Sequence, residues 1–256
     1  MTTAYALLLE YDGRGFVGWQ MQTNGLSIQQ VLEEAASRLA DGAPVSAAIA
    51  GRTDAGVHAQ GQVAMITLPK HLPPERLQEA LNFHMKPHAV VVHDACVAPE
   101  GWHPRFKALC RRYRYVILNR RARPALELGR VWHLPHALEA GAMADGARHL
   151  LGRHDFTSFR ASSCQAKSPL RTLDRLDVRR DGEHIIIEAE ARSFLHHQVR
   201  NMVGTLKLVG EGSWEPIRMA QALAAQSRAA AGPTAPPDGL TFMSVDYEPP
   251  IFPRLN

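Results

Sequence analysis

Residues 171–192, "RTLDRLDVRRDGEHIIIEAEAR", constrain the fold more than any other stretch. Two extended runs flank Asp181-Gly182, a dipeptide that favours the tight turn of a β-hairpin. An antiparallel pair here argues against an all-parallel, doubly wound sheet. The remaining pattern agrees, because strands and helices follow one another without strict βαβ alternation. Strands are expected over 4–12, 44–51, 62–68, 89–97, a long one over 105–118, and 240–248. Helices are expected over 27–40, 73–84, 136–152, 196–210 and 216–226. The first carries Ser27 three residues before Gln30, a capping-box pattern, with Ile28, Val31, Leu32, Ala35, Ala36 and Leu39 at helical spacing. The expected fold is α+β: a mixed, largely antiparallel sheet flanked by helices, with two similar α+β halves around a basic cleft. The halves are placed at 1–102 and 103–247, followed by an extended tail at 248–256.

With 256 residues, 45% hydrophobic and 21% charged, the chain can bury a core without staples. The start, "MTTAYALLLEYDG", lacks the basic segment of a signal peptide, and no run reaches the roughly 18 apolar residues of a membrane span. Three scattered cysteines, Cys96, Cys110 and Cys164, without CxxC spacing fit a reducing compartment, so a cytoplasmic location is expected.

The net charge of +4 is unevenly placed. Residues 1–101 hold six Lys/Arg against ten Asp/Glu (−4); residues 102–256 hold 23 against 15 (+8). Within 105–130 nine basic residues, eight of them arginine, meet one acid, Glu127, and aromatics interleave with them. A solvated basic face is the plain reading. The aromatic interleaving favours phosphates met beside stacked bases, and hence nucleic acid.

Several chemistries lack their motifs. There is no HExxH, and His196-His197 point to different faces, so no metal is expected. Neither a P-loop nor a GxGxxG is present, and no nucleotide cofactor is expected. The glycine-rich "DGRGFVG" (12–18) reads as a tight turn. What remains is "AIAGRTDAGVHAQGQVAMI" (48–66), where Asp54 lies on a loop between two strands, framed by Arg52, Gly51, Gly56 and His58. An Asp beside Gly commonly holds a turn. Arg52 two residues away would instead favour an ionised carboxylate, fit to act as nucleophile or general base.

"GRTDAGVHAQGQV" resembles the catalytic motif of the A-type tRNA pseudouridine synthases. "YDGRGFVGWQMQ" (11–22), "RRYRYVI" (111–117), "DFTSFRA" (155–161) and "FLHHQVRNMVGTL" (194–206) resemble further family segments in the same order, covering residues 4–247. The resemblance implies a cofactor-free homodimer that isomerises uridine to pseudouridine at positions 38–40 in the tRNA anticodon arm. It puts the nucleophile on Asp54, the tyrosine that contacts the target base on Tyr113, and an arginine near the carboxylate on Arg200. Arg52 becomes the arginine that assists RNA binding and base flipping, and Arg111, Arg112, Arg114 and Arg160 become further RNA contacts. Strand alternation puts Tyr113 and Tyr115 on one face and Arg112 and Arg114 on the other. Trp102, Pro104 and Gln198 depart from the residues usual in the family. Two rival readings stand beside this one. A glycosidase or nucleoside hydrolase would need a second carboxylate, and a non-catalytic RNA-binding module would leave Asp54 without a purpose.

Overall fold

A computed structural model describes residues 2–252. The chain divides into two compact units, one formed by residues up to Arg111 together with those from Phe242 on, the other by Arg112–Thr241. The fold is α+β, with five α-helices and strands that pair almost entirely antiparallel.

In the first unit the sheet order is β4 (Val90–Val97), β1 (Thr3–Tyr11), β3 (His58–Leu68) and β10 (Leu240–Asp246), with the short β2 (Ala48–Ile49) on β3. β1 pairs antiparallel with both β3 and β4, from Thr3↔Leu68 on one side to Tyr11↔Val90 on the other. It is central, so both of its edges are hydrogen-bonded. Consecutive Tyr5, Ala6 and Leu7, which point to opposite faces, are all buried, as is Leu9, and the sequence is accordingly a near-continuous apolar run. Helix α1 (Ile28–Leu39) starts as its sequence predicts: Ser27 Oγ accepts the Gln30 N–H at 3.1 Å, and Ile28, Val31, Leu32, Ala35 and Ala36 are buried. The Gln30 side chain does not complete the capping box, since it donates to Glu34 at 2.8 Å. Helix α2 (Pro74–His84) buries Leu77 and Leu81 and packs on β4. Beyond β10, Ile251 and Phe252 pack with Tyr247, Val63 and Trp102, so this part of the expected tail lies against the core. Residues 253–256 of that tail lie outside the described residues.

In the second unit the order is β5 (Cys110–Leu118), β9 (His184–Ala191), β8 (Leu170–Asp181) and β7 (Gly152–Asp155); β6 (Trp132–His133) pairs parallel with β5. The hairpin is present, with Asp181 opposite His184, so the turn residues are Gly182-Glu183, one position later than Asp181-Gly182 suggested. Gly182 takes φ 57°, the left-handed value that a tight hairpin turn needs. Helix α3 (Ala140–Arg148) is shorter than expected. Helix α4 (Gln198–Gly210) is buried along most of its length, and α5 (Arg218–Ala224) follows. β5 begins at Cys110, not at 105. Residues 103–107 instead turn, with Lys107 N–H donating to His103, and Leu109 N–H reaching the Asp246 carbonyl.

Candidate active site

Asp54 lies half-buried on the loop between β2 and β3. It is the sole acid between Asp41 and Glu75. Its carbonyl accepts the Val57 N–H at 3.1 Å, closing a turn in which Gly56 takes φ 77°. The side chains around this loop are polar, buried and bonded to its backbone or to Thr53. Thr53, 6% exposed, places Oγ1 2.8 Å from the Tyr11 hydroxyl. Gln62, fully buried on β3, donates to the Gly51 carbonyl at 2.8 Å and to the Tyr11 hydroxyl at 3.4 Å. Burial pushes the Tyr11 hydroxyl up to about 12, although contacts with Thr53 and Gln62 pull the other way.

The glycine-rich segment 12–18 comes against this loop, and that is what two of its glycines are for. A Cβ on Gly18 would stand 2.7 Å from the Thr53 carbonyl oxygen and 3.0 Å from Ala55 N. One on Gly13 would stand 2.2 Å from the Val57 oxygen. Backbone can approach this closely only where no Cβ intervenes. Trp19 N–H donates to the Thr53 carbonyl at 3.0 Å, tying the two segments together. Below the loop, Gly13 N–H donates to Nδ1 of His58 at 3.1 Å, and Asp12 Oδ1 stands 3.2 Å from the same nitrogen. A lone pair on Nδ1 serves Gly13 and a proton there serves Asp12, so these two contacts are alternatives. Burial pushes the Asp12 carboxyl up, but hydrogen bonds from Arg14 and the charges of His58 and Arg14 outweigh it and hold it at about 2. Tyr11, Gln62, Gly13 and Gly18 do not stand out as functional in the sequence. The pairing of a glycine-rich segment with a second glycine-framed loop is the signal that could have found the last two.

The predicted arginines differ in their surroundings. Arg52 is exposed on the Asp54 loop, and no side-chain partner is recorded for it among the described residues. Arg111, also in the first unit, is buried at 7% exposure. Its Nε and Nη2 donate to the Ala50 carbonyl at 3.0 and 2.6 Å, and Nη2 donates to the Arg105 carbonyl at 3.0 Å. In the second unit, Arg112 meets Glu190 at 3.2 Å and Arg114 meets Glu188 at 2.8 Å. Arg175 on β8 joins the same two glutamates at 3.0 and 3.1 Å, so this face of the sheet is charge-balanced rather than simply basic. Arg160 is half-buried with no recorded side-chain partner among the described residues. Arg200, half-buried on α4, donates from Nε to the Ala235 carbonyl at 2.8 Å.

The alternation expected of β5 holds, with Tyr113 and Tyr115 on the buried side. Their settings differ. Tyr115 is fully buried, donates to the Pro236 carbonyl at 2.8 Å and meets Trp132 edge-on, and burial raises its hydroxyl well above the usual range. It is a core residue. Tyr113 keeps 9% exposure and meets the Phe194 ring edge-on at 5.2 Å.

An α+β protein that sets one carboxylate on a braced loop between strands, with Arg52 exposed beside it, holds groups that could serve nucleophilic or general-base chemistry on an anionic substrate. Comparison with known proteins makes this specific. Residues 8–107 and 147–248 match the family described as tRNA pseudouridine synthase, and the chain belongs to that family. It is 69% identical to the tRNA pseudouridine synthase A of Acidiphilium cryptum over 98% of both chains. It is 59% identical to the protein of that name from Paramagnetospirillum magneticum over 95% of this chain and 94% of the relative, and 52% identical to that from Gluconobacter oxydans over 98% and 92%. The family's enzymes are isomerases that convert uridine to pseudouridine in tRNA. No helix among the described residues is long and apolar enough to cross a membrane.

Proposed function

We propose that the chain isomerises uridine to pseudouridine at positions 38–40 of the tRNA anticodon stem-loop, with Asp54 as the catalytic carboxylate. The observation that carries this is a sole acid, between Asp41 and Glu75, on a loop whose backbone is held from several sides. The reaction breaks the N1–C1′ bond, turns the uracil, joins C5 to C1′, and moves the C5 proton to N1. Nothing is gained or lost overall, so one carboxylate suffices. Asp54 acts on the sugar in one of two ways: it attacks C1′ and is displaced when C5 bonds to C1′, or it takes the 2′ proton and returns it to C2′ as C5 bonds to C1′. A base in a structured arm must first be flipped out. Tyr113 then contacts the target uracil, Arg200 serves substrate binding, and Arg52 assists flipping. Arg112, Arg114 and Arg160 serve the RNA-binding region, which reads shape and phosphate. The enzyme works as a cytoplasmic homodimer and needs no cofactor.

Tritium release from C5-labelled uridine in unmodified tRNA tests this. Wild type releases label, whereas Asp54→Ala and Asp54→Asn release none and still bind tRNA. Turnover by Asp54→Asn would sink the assignment, and free uracil as product would indicate a hydrolase.

A further inference from the structure

Behind the Asp54 loop, three side chains from three strands converge on consecutive stretches of its approach. Arg111 of β5 grips the Ala50 carbonyl with two donors, at 3.0 and 2.6 Å. Gln62 of β3 holds the Gly51 carbonyl at 2.8 Å. Tyr11 of β1 holds the Thr53 hydroxyl at 2.8 Å and accepts from Gln62 at 3.4 Å. All three are buried, at 7%, 0% and 2% exposure.

An interior of this kind is not what stability asks for. A buried arginine and a buried amide are rarely better for folding than apolar groups of the same volume, and a partly satisfied network is worse. The Gln62 amide donates to the Tyr11 oxygen, and the Tyr11 and Thr53 hydroxyls share one hydrogen bond in which either is able to donate. Gln62 Oε1 in turn accepts the Val63 N–H at 3.2 Å. All three reach the run 50–53, which ends one residue before Asp54: Arg111 and Gln62 at the Ala50 and Gly51 carbonyls, Tyr11 at the Thr53 hydroxyl. On the far side, the Thr53 carbonyl is fixed by Trp19 N–H and the Asp54 carbonyl by Val57 N–H.

We infer that Tyr11, Gln62 and Arg111 are positioning residues that fix the origin of the Asp54 side chain, so that its carboxylate meets the ribose at a set distance. The inference rests on Asp54 being the catalytic carboxylate. None of the three touches substrate. They act through residues 50–53, and their loss acts on the chemical step rather than on RNA affinity. Arg111 is accordingly a brace for the loop and not a phosphate contact.

The test uses the full-length protein with Tyr11→Phe, which removes one hydroxyl, and Gln62→Met, which keeps the volume and removes the donor. Single-turnover tritium release at saturating tRNA gives the chemical rate, filter binding gives Kd, and thermal melting reports the fold. Each variant is expected to lose on the order of 10- to 100-fold in the single-turnover rate, as displacements below about 1 Å do in positioned sites, with Kd within about twofold of wild type. The double variant should lose less than the product of the two. If Gln62→Met does not fold, Thr53→Val removes the other end of the Tyr11 contact and answers the same question. A folded Tyr11→Phe or Thr53→Val with wild-type single-turnover rate overturns the inference, as does a loss confined to Kd. Asp54→Asn is run alongside. If it is inactive while the bracing variants turn over normally, only the bracing role fails; if it turns over, the reading of Asp54 fails first.

Discussion

Gly18→Ala offers the sharpest perturbation of the loop from outside. Gly18 takes φ 105°, a conformation an L side chain rarely adopts, and its Cβ would lie 2.7 Å from the Thr53 oxygen and 3.0 Å from both Ala55 N and the Asp54 carbonyl carbon. All three contacts are backbone, so no flexible side chain can swing away. An ordinary contact begins near 3.4 Å, and the two segments must separate by several tenths of an ångström. Backbone strain at such a φ costs about 1–3 kcal/mol, and overpacking about 1–3 kcal/mol more. Together these are a large part of a typical stability of about 5–15 kcal/mol. Gly15→Ala supplies the control. Gly15 lies in the same segment at φ 79°, with nothing within 4 Å of a Cβ, so it bears the strain without the clash. The difference between the variants should be about 1–3 kcal/mol, which for a chain of this size lowers the melting temperature by roughly 2–12 °C. Turnover by tritium release should stay within about twofold of wild type in Gly15→Ala and fall about tenfold or more in Gly18→Ala, because the clash moves the residues flanking Asp54. Equal melting temperatures and equal turnover in the two variants would refute the claim that this glycine exists to let the loop approach.

Three further perturbations test other parts of the molecule. In α4, a Cβ on Gly204 would sit 1.8 Å from the Pro233 oxygen, so Gly204→Ala should destabilise the protein by about 2 kcal/mol or more, the overpacking outweighing the gain of about 1 kcal/mol in helix propensity; a variant that melts at or above wild type would contradict this. The Asp12 carboxyl, held at about 2 against an ordinary 3.8, contributes stability that is present above the ordinary value and lost as pH falls through about 2. Asp12→Asn should therefore unfold at lower urea than wild type at pH 6, with the gap narrowing below pH 3.8 and closing only below about pH 2; a gap independent of pH would count against it. Arg160, without a recorded side-chain partner among the described residues, should on Arg160→Ala lower the salt slope of tRNA binding by about 1, whereas Arg114→Ala, whose charge already meets Glu188 at 2.8 Å, should change the slope less; equal slopes would remove the distinction.

What the sequence made legible and what it hid follow from how far each contact reaches along the chain. The hairpin over 170–191 and the start of α1 rest on neighbours within a few residues, and both could be read from local pattern. So could the position of Asp54 on a loop between strands, because the residues that make the loop are its own glycines and the Asp54–Val57 turn. The start of β5 could not. Residues 105–109 have the composition of a strand, yet they turn there, where Tyr247 donates to the Pro104 carbonyl 143 positions away and Asp246 receives the Leu109 N–H. The same reach separates Arg111 from Arg112 and Arg114. In the sequence they are three arginines of one basic run, and alternation alone puts Arg111 on the tyrosine side. What decides its setting is the Ala50 carbonyl, 61 residues earlier. Gln62 looked like an ordinary polar residue in an alternating strand until its partners, Gly51 and Tyr11, came into place. A group that reacts can therefore be read from a short motif, because its identity is its chemistry. The groups that aim it are anonymous by type, since any buried donor of the right length would serve, and only the folded register reveals which ones were used.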